Sequence, residues 1–161
     1  MSPAYTDADV RIVDFPHTAV AVLEHRGDPA RIGDSIRRFI AWRRAVGLPP
    51  KLSATYNIFH VDEDETPPEA FRLDLCAATD RRIELNDSGV VSGVIPPGRC
   101  AVLRQVGSSD DLRATVNYLY GQWLPRAGFE PRDFPVFVQR VSFFPDVPEH
   151  EAVTDVFLPI R

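Results

Sequence analysis

Residues 95–128, IPPGRCAVLRQVGSSDDLRATVNYLYGQWLPRAG, decide the fold, because their pattern occurs twice in the chain. The stretch predicts a strand, a capped helix and a helix end, in that order. The same order stands 80 residues earlier, from Phe15 to Gly47. The matched strand residues are Pro16 with Pro96, Ala21 with Ala101, Val22 with Val102, Leu23 with Leu103 and Gly27 with Gly107. This spacing is too long for a solenoid repeat, so the sequence predicts two copies of one module.

The helix of the module repeats with a change of register. Its apolar stripe matches Ile32, Ile36, Phe39 and Ile40 with Leu112, Val116, Leu119 and Tyr120. Further along, an offset of 81 matches Trp42 with Trp123, Gly47 with Gly128 and Asp74 with Asp155. The extra residue falls at or near Gly121, where it predicts a bulged helical turn; a ragged alignment would explain it equally well.

Both helices carry signals at their ends. Asp28 before Pro29, and Ser108 before two acidic residues, predict the N-caps. Gly47 and Gly128 predict the helix ends. On the first helix, the residues expected to face solvent are Arg37, Arg38, Arg43 and Arg44.

The flanking strands give each copy the order β-α-β-β, and the pattern allows an extra leading strand. The sequence therefore predicts an α+β fold in one domain, residues 1–161, with internal halves at about 10–78 and 90–160. A helix on one face of an antiparallel sheet buries its apolar stripe. Two halves related by a pseudo-twofold axis would leave a cleft between them, and ligand pockets favour such junctions.

The composition argues against several classes of protein. The net charge of −5 disfavours non-specific binding to nucleic acid, which depends on neutralising phosphates. No apolar run approaches the ~20 residues that span a bilayer, and the first residues lack the order of a signal peptide. We therefore expect a soluble cytoplasmic protein in which Cys76 and Cys100 are reduced core residues.

Familiar catalytic signatures are missing from the sequence. The chain has no G-x-S-x-G elbow, no phosphate-binding glycine loop and no Cys-x-x-Cys pair. Its histidines, His17, His25, His60 and His150, do not stand at ligand spacing. We expect surface or strand-edge histidines, and neither a metal nor a cofactor.

Two acidic residues, Asp74 and Asp155, stand inside apolar strands at equivalent positions of the two copies. A carboxylate is rarely placed where it would be buried unless it is paired or serves a site. One interpretation is that both acids line a shared ligand pocket. The other is that each accepts backbone amides or an arginine, such as Arg72.

Aromatic residues supply the walls that such a pocket would need. The candidates are Tyr56, Tyr120, Trp123, Phe137 and Phe157. Phe157 shares a strand face with Asp155, because the two stand two residues apart. A tryptophan at the same place in both helices is also explained by core packing.

Several short motifs occur in a fixed order. They are I-P-P-G at 95–98, W-L-P-R-A-G at 123–128, P-V-F at 135–137, D-V-F-L-P at 155–159 and R-L-D-L-C at 72–76. Together they resemble the GyrI-like family of small-molecule-binding domains, over residues 10–161. Members of that family occur alone, as in the DNA gyrase inhibitory protein, or as effector domains of AraC- and MerR-type multidrug regulators.

The resemblance implies a cleft that takes amphipathic, often cationic or aromatic molecules, with an acid among aromatic residues. The acid is Asp155 here, shorter than the expected glutamate. The strand after P-V-F lacks the expected acid, and Arg140 in that strand suits an anionic or polar ligand. The ligand-binding residues that we expect are Asp155, Asp74, Tyr56, Tyr120, Trp123, Phe157, Phe137 and Arg140.

The function predicted in this way is a ligand sensor or sequestering protein without catalytic residues. Some relatives hydrolyse strained electrophiles, so hydrolysis is the alternative function. Inhibition of DNA gyrase is another, for which the acidic run Asp62–Glu65 would be the contact. The residues before Val10 are too few for a helix-turn-helix, so we expect a stand-alone binder or the effector domain of a regulator with a fused DNA-binding domain, and no direct nucleic-acid binding by this chain.

Overall fold

A computed structural model describes residues 5–60 and 66–161, so the acidic run Asp62–Glu65 lies outside the described residues. The chain divides into two compact units, and each is described by itself. The inner unit is His17–Pro96. The terminal unit combines the chain up to Pro16 with Pro97–Arg161.

The strands of both units pair antiparallel. In chain order they are β1 Arg11–Phe15, β2 Thr18–Arg26, β3 Thr55–Phe59, β4 Arg72–Ala78, β5 Val91–Ile95, β6 Gly98–Val106, β7 Phe137–Ser142 and β8 Val153–Pro159. The order across the sheet is β3-β4-β2-β5 in the inner unit and β1-β6-β8-β7 in the terminal unit. The predicted α+β class with antiparallel strands and two main helices is confirmed.

The short leading strands pair with the other copy of the module. β1 precedes β2 in the chain but pairs with β6, and β5 precedes β6 but pairs with β2. Pro16 and Pro96 separate each leading strand from its neighbour in sequence, and proline cannot donate to a ladder. Equivalent strands occupy equivalent places, which is consistent with a duplicated module.

The two main helices differ in one turn, which is π-helical in the second helix only. Helix α1, Ile32–Val46, is regular, whereas the second runs as α2, Leu112–Asn117, a π-helical turn, Tyr118–Trp123, and α3, Leu124–Ala127. A π turn holds one residue more than an α turn. The bulge predicted at Gly121 is therefore confirmed.

The predicted helix ends are also confirmed. The Asp28 carboxylate accepts a hydrogen bond from the Ala30 amide at 2.9 Å. The Ser108 hydroxyl accepts one from the Asp110 amide at 3.2 Å. Each cap opens a short 3-10 turn that continues into the helix. Gly47 and Gly128 end the helices with φ of 73° and 76°, in the left-handed region.

The core of the inner unit lies between α1 and one face of its sheet. Phe39 and Trp42 of the helix pack there. Their sheet partners and the flanking residues are Ala21, Leu23, Leu48, Phe71, Leu73, Leu75, Ala77 and Val90. The predicted stripe is wrong at Ile36 and Ile40, which are exposed.

Arg43 was predicted to face solvent, and that prediction is wrong. The residue is buried, and its guanidinium donates to the carbonyls of Leu48 at 2.7 Å and Ser53 at 2.8 Å and to the Thr55 hydroxyl at 2.8 Å. Burial lowers the pKa of Arg43 to about 10. The acceptors of the loop after α1 compensate for its desolvation.

Cys76 and Cys100 are free and buried, as predicted. Within the described ranges, no helix is long and apolar enough to cross a membrane.

Candidate functional site

In the inner unit, Asp74 lies on the sheet face turned away from α1. Residues directly opposed in neighbouring strands share a face, and Asp74 stands between Glu24 of β2 and Ile58 of β3. Tyr56 opposes Cys76 and belongs to the same face. Tyr56 is buried, which raises its pKa by desolvation.

Asp74 is the centre of a network of charges. Only 4% of the residue is exposed, and its carboxylate accepts from His60 Nε2 at 2.7 Å and from Arg72 Nε at 3.2 Å. Arg72 also donates to Glu24 at 2.9 Å. Burial acts to raise the pKa of Asp74, but the hydrogen bonds and charges of His60 and Arg72 outweigh it, so the pKa is lowered.

In the terminal unit, Asp155 stands between Arg104 of β6 and Gln139 of β7. Arg104 binds it with two parallel hydrogen bonds, Nε to Oδ1 at 2.8 Å and Nη2 to Oδ2 at 3.0 Å. Asp155 is 6% exposed, whereas the Arg104 side chain is 52% exposed. The hydrogen bonds that Arg104 donates to Asp155 raise the pKa of Arg104.

Three phenylalanine rings continue this face of the terminal unit. Phe137 and Phe157 are directly opposed and stack with their centroids 4.8 Å apart. Phe15 packs edge-on against both, at 5.0 and 5.3 Å. Phe157 follows Asp155 by two residues in β8, so the rings and the ion pair share one face. We call this set, Phe15, Phe137, Phe157, Asp155 and Arg104, the phenylalanine face.

The helical candidates belong elsewhere in the terminal unit. Trp123 is buried and stacks on Phe129 at 5.7 Å. Its equivalent in the inner unit, Trp42, packs on the sheet face opposite Asp74. Tyr120 keeps an exposed ring, although the protein around its hydroxyl raises its pKa by desolvation.

Arg140 of β7 also points away from the phenylalanine face. It opposes Thr154 of β8, which is adjacent in sequence to Asp155 and therefore faces the other side of the sheet. Its Nη1 donates to the Ser109 hydroxyl at 2.8 Å, and burial lowers the pKa of Arg140. The structure therefore brings Asp155, Phe137 and Phe157 together and places Arg140 on the other side of their sheet.

Two depressions in the inner unit, of about 400 and 320 Å³, contain none of the predicted ligand-binding residues. The larger follows β5, and the smaller lies at the start of α1 beside His25 and Ser35. Both are shallow surface features of the fold. Across residues 5–60 and 66–161, no group of three or more His, Cys, Asp or Glu side chains could hold a metal ion.

Sequence reasoning missed one partner of each acid. Asp74 does accept from Arg72, as one of its two interpretations proposed, but His60 was not selected. Arg104 was not selected either, although it stands at the offset of 80 residues from Glu24. The signal would have been the register of β2 with β4 and of β6 with β8, since Glu24 opposes Asp74 and Arg104 opposes Asp155.

Comparisons with known proteins agree with this architecture. The probable transcriptional regulator YgiV of Escherichia coli K12 is 39% identical over 153 residues, covering 94% of this chain and 96% of that protein. The crystal structure of the EcmrR C-terminal domain has a TM-score of 0.76 at 16% identity and covers 94% of this chain and 96% of that one.

Two further solved structures share the fold. EcmrR in a complex with DNA matches with a TM-score of 0.75 at 15% identity, covering 94% of this chain, which spans only 57% of that chain. SAV2435 bound to tetraphenylphosphonium matches with a TM-score of 0.63 at 8% identity, covering 94% and 93% of the two chains. The model of the GyrI-like small molecule binding domain matches residues 8–161. The chain belongs to the GyrI-like family of small-molecule-binding domains.

Proposed function

We propose that this domain binds an amphipathic aromatic molecule at the phenylalanine face and that binding controls transcription. One observation carries the proposal: stacked rings and a buried, paired carboxylate lie side by side on one sheet face. Aromatic walls with a few placed polar groups are the usual composition of a small-molecule site. Phe137 and Phe157, which are 1% and 6% exposed, would supply the apolar contact once the ligand displaces what covers them, and Asp155 with Arg104 would supply the polar one.

The regulatory part of the proposal is supported by the relatives. YgiV carries the name of a transcriptional regulator, and EcmrR has been solved in a complex with DNA. SAV2435 has been solved with an aromatic cation. We infer that the present domain passes a ligand signal to a DNA-binding domain, fused or separate, in the cytoplasm. Gyrase remains a less supported partner, because the acidic run expected to contact it lies outside the described residues.

Asp74 and Tyr56 of the inner unit, and Tyr120, Trp123 and Arg140 of the terminal unit, take secondary places in this proposal. Asp74 is held by His60 and Arg72, Trp123 by Phe129 and Arg140 by Ser109. Their substitution should therefore change stability more than affinity. Tyr120, with its exposed ring, is the one of these that a ligand at the helix surface would contact.

A thermal-shift screen of aromatic dyes, antibiotics and aromatic acids tests the proposal. A ligand at a hundred times its dissociation constant adds about 2.7 kcal/mol to the free energy of unfolding. Phe157→Leu should weaken the binding of each hit by about tenfold, because it removes a stacking surface worth ~1 kcal/mol or more. Phe39→Leu, in the core of the inner unit, is the matched control and should leave affinity unchanged.

Different outcomes would contradict ligand binding and the location of the site. A screen that raises no melting temperature would contradict ligand binding. Hits that bind Phe157→Leu as tightly as the wild type, but bind the inner-unit variant Phe39→Leu less tightly, would contradict the location of the site.

A further inference from the structure

The guanidinium of Arg104 already occupies the place that a cationic ligand would take on Asp155. Both carboxylate oxygens accept from it, at 2.8 and 3.0 Å. Asp155 is 6% exposed, so a second cation has little access to its oxygens. The acid of the phenylalanine face is therefore neutralised from within the protein.

The same arginine presents its charge outward. Its side chain is 52% exposed, and only Nε and Nη2 are engaged with Asp155. Within the described residues, Nη1 makes no hydrogen bond. Gln139 lies across β8 from Arg104, because both oppose Asp155, and its side chain is partly exposed. The rim of the face thus offers a guanidinium donor and an amide, without an unpaired carboxylate.

The inner unit shows that the fold does not require this charge. At the position equivalent to Arg104 stands Glu24, which adds a second carboxylate next to Asp74. Arg72 bridges the two acids from β4. The arginine opposite Asp155 is therefore a property of the terminal unit and of this sequence.

We propose that the phenylalanine face selects an aromatic ligand bearing an anionic group, such as a carboxylate or sulfonate, and that Arg104 determines this selection. The inference rests on the proposed function. An anion at the rim is attracted by the guanidinium charge of Arg104. A carboxylate or sulfonate also accepts a charge-assisted hydrogen bond from it, without disturbing its bonds to Asp155. A cation must either approach a like charge or displace Arg104 from a buried carboxylate, and both are unfavourable.

Two probes of one shape and opposite charge test the selection. Tetraphenylborate and tetraphenylphosphonium should be titrated calorimetrically into the wild type, Arg104→Gln and Arg44→Gln. The wild type should bind the borate more tightly, and Arg104→Gln should move the affinity ratio toward the phosphonium by ~10-fold or more. Arg44→Gln removes an exposed charge from α1 of the inner unit and should leave the ratio unchanged.

Arg104→Gln leaves Asp155 buried without its cation, so a second variant guards against misfolding. Arg104→Gln/Asp155→Asn removes both charges, and its affinity ratio should fall between those of the wild type and Arg104→Gln. Tighter binding of the phosphonium by the wild type, or one ratio in all variants, would overturn the inference and leave the proposed function standing. Failure of both probes to bind would overturn the inference as well, and it would extend to the proposed function only if the thermal-shift screen also finds no ligand.

Discussion

The inner and terminal units each place a buried aspartate at the equivalent point of their own strands and surround it differently. Asp74 of β4 faces Glu24 of the neighbouring strand β2 and is held by Arg72 and His60. Asp155 faces Arg104 and is held by it alone among the contacts of the described residues. Backbone register is therefore the shared feature of the two units, and the charge opposite the acid is what distinguishes them.

The helices show the same division between what is shared and what differs. Both begin at a capped 3-10 turn and end at a left-handed glycine. Between these ends, α1 is regular and its counterpart contains the π turn Tyr118–Trp123. The extra residue leaves Trp42 and Trp123 at equivalent buried places. The module therefore accommodates an inserted residue within one helical turn, while the residues on both sides of that turn keep their register.

Deleting one residue from each helix should give the largest difference between the units. Deletion of Ala41 rotates the following part of α1 by about 100° and moves Trp42 and Arg43 off their buried positions, at a cost of more than ~3 kcal/mol. Deletion of Gly121 converts the π turn to an α turn and keeps both flanks in register, so it should cost less than ~1 kcal/mol. Urea unfolding measures both free energies. Equal losses would contradict the assignment of the extra residue to this turn.

Removing the arginine partner of each acid should give a smaller difference. Arg104→Gln leaves a buried carboxylate without its cation and should cost about 2–3 kcal/mol, below the usual 3–5 because Arg104 is half exposed. Arg72→Gln should cost about 1 kcal/mol, since Asp74 keeps the hydrogen bond from His60. The measurement is urea unfolding at neutral pH. A larger loss of unfolding free energy in Arg72→Gln than in Arg104→Gln would contradict the expected difference between the two units.

The decrease in the free energy of unfolding at acidic pH should depend on Asp74. Its pKa lies below the ordinary 3.8 in the folded protein, so below about pH 4 the unfolded state binds more protons and stability rises with pH. Asp74→Asn should lose about 1–2 kcal/mol above that pH. The difference from the wild type should shrink as the pH falls through the folded pKa. Unfolding free energies between pH 3 and 6 measure it, and a difference that is constant with pH would contradict this assignment.

The smallest effect is expected at Gly121 itself. A Cβ added there meets nothing within 4 Å, and alanine loses less backbone entropy than glycine in a helix. Gly121→Ala should therefore stabilise the protein by about 0.5–1 kcal/mol. Thermal unfolding measures the gain. A loss of stability would show that the π turn needs the conformational freedom of glycine.

Local patterns in the sequence predicted most of the fold. The repeated apolar pattern gave the β-α-β-β order of each copy, and Asp28, Gly47 and Gly128 marked helix ends through local hydrogen bonds and φ. The burial of Arg43 was not predictable in this way, because its acceptors come from the separate segment 48–55. The pairing of β1 with β6 is likewise a choice between distant strands that periodicity does not encode.

The candidate site was predictable in part for the same reason. Asp155 and Phe157 stand two residues apart in one strand, so their shared face followed from the period of the strand. Arg104 is 51 residues away from Asp155, and its role depends on the register between the distant strands β6 and β8. Trp123 and Arg140 were selected for residue type, and the structure stacks Trp123 on Phe129 and places Arg140 on the face opposite Asp155.

Amide chemical-shift mapping during a titration tests most directly whether the terminal unit is the ligand-binding one. The ¹⁵N-labelled domain should be titrated with tetraphenylborate, and the shifts followed for backbone amides, the Gln139 side chain and the Arg104 Nε–H. The largest changes should fall on β6, β7 and β8 around Arg104, Gln139 and Phe157. Changes centred instead on β2 and β4 around Asp74, with the phenylalanine face unperturbed, would contradict it.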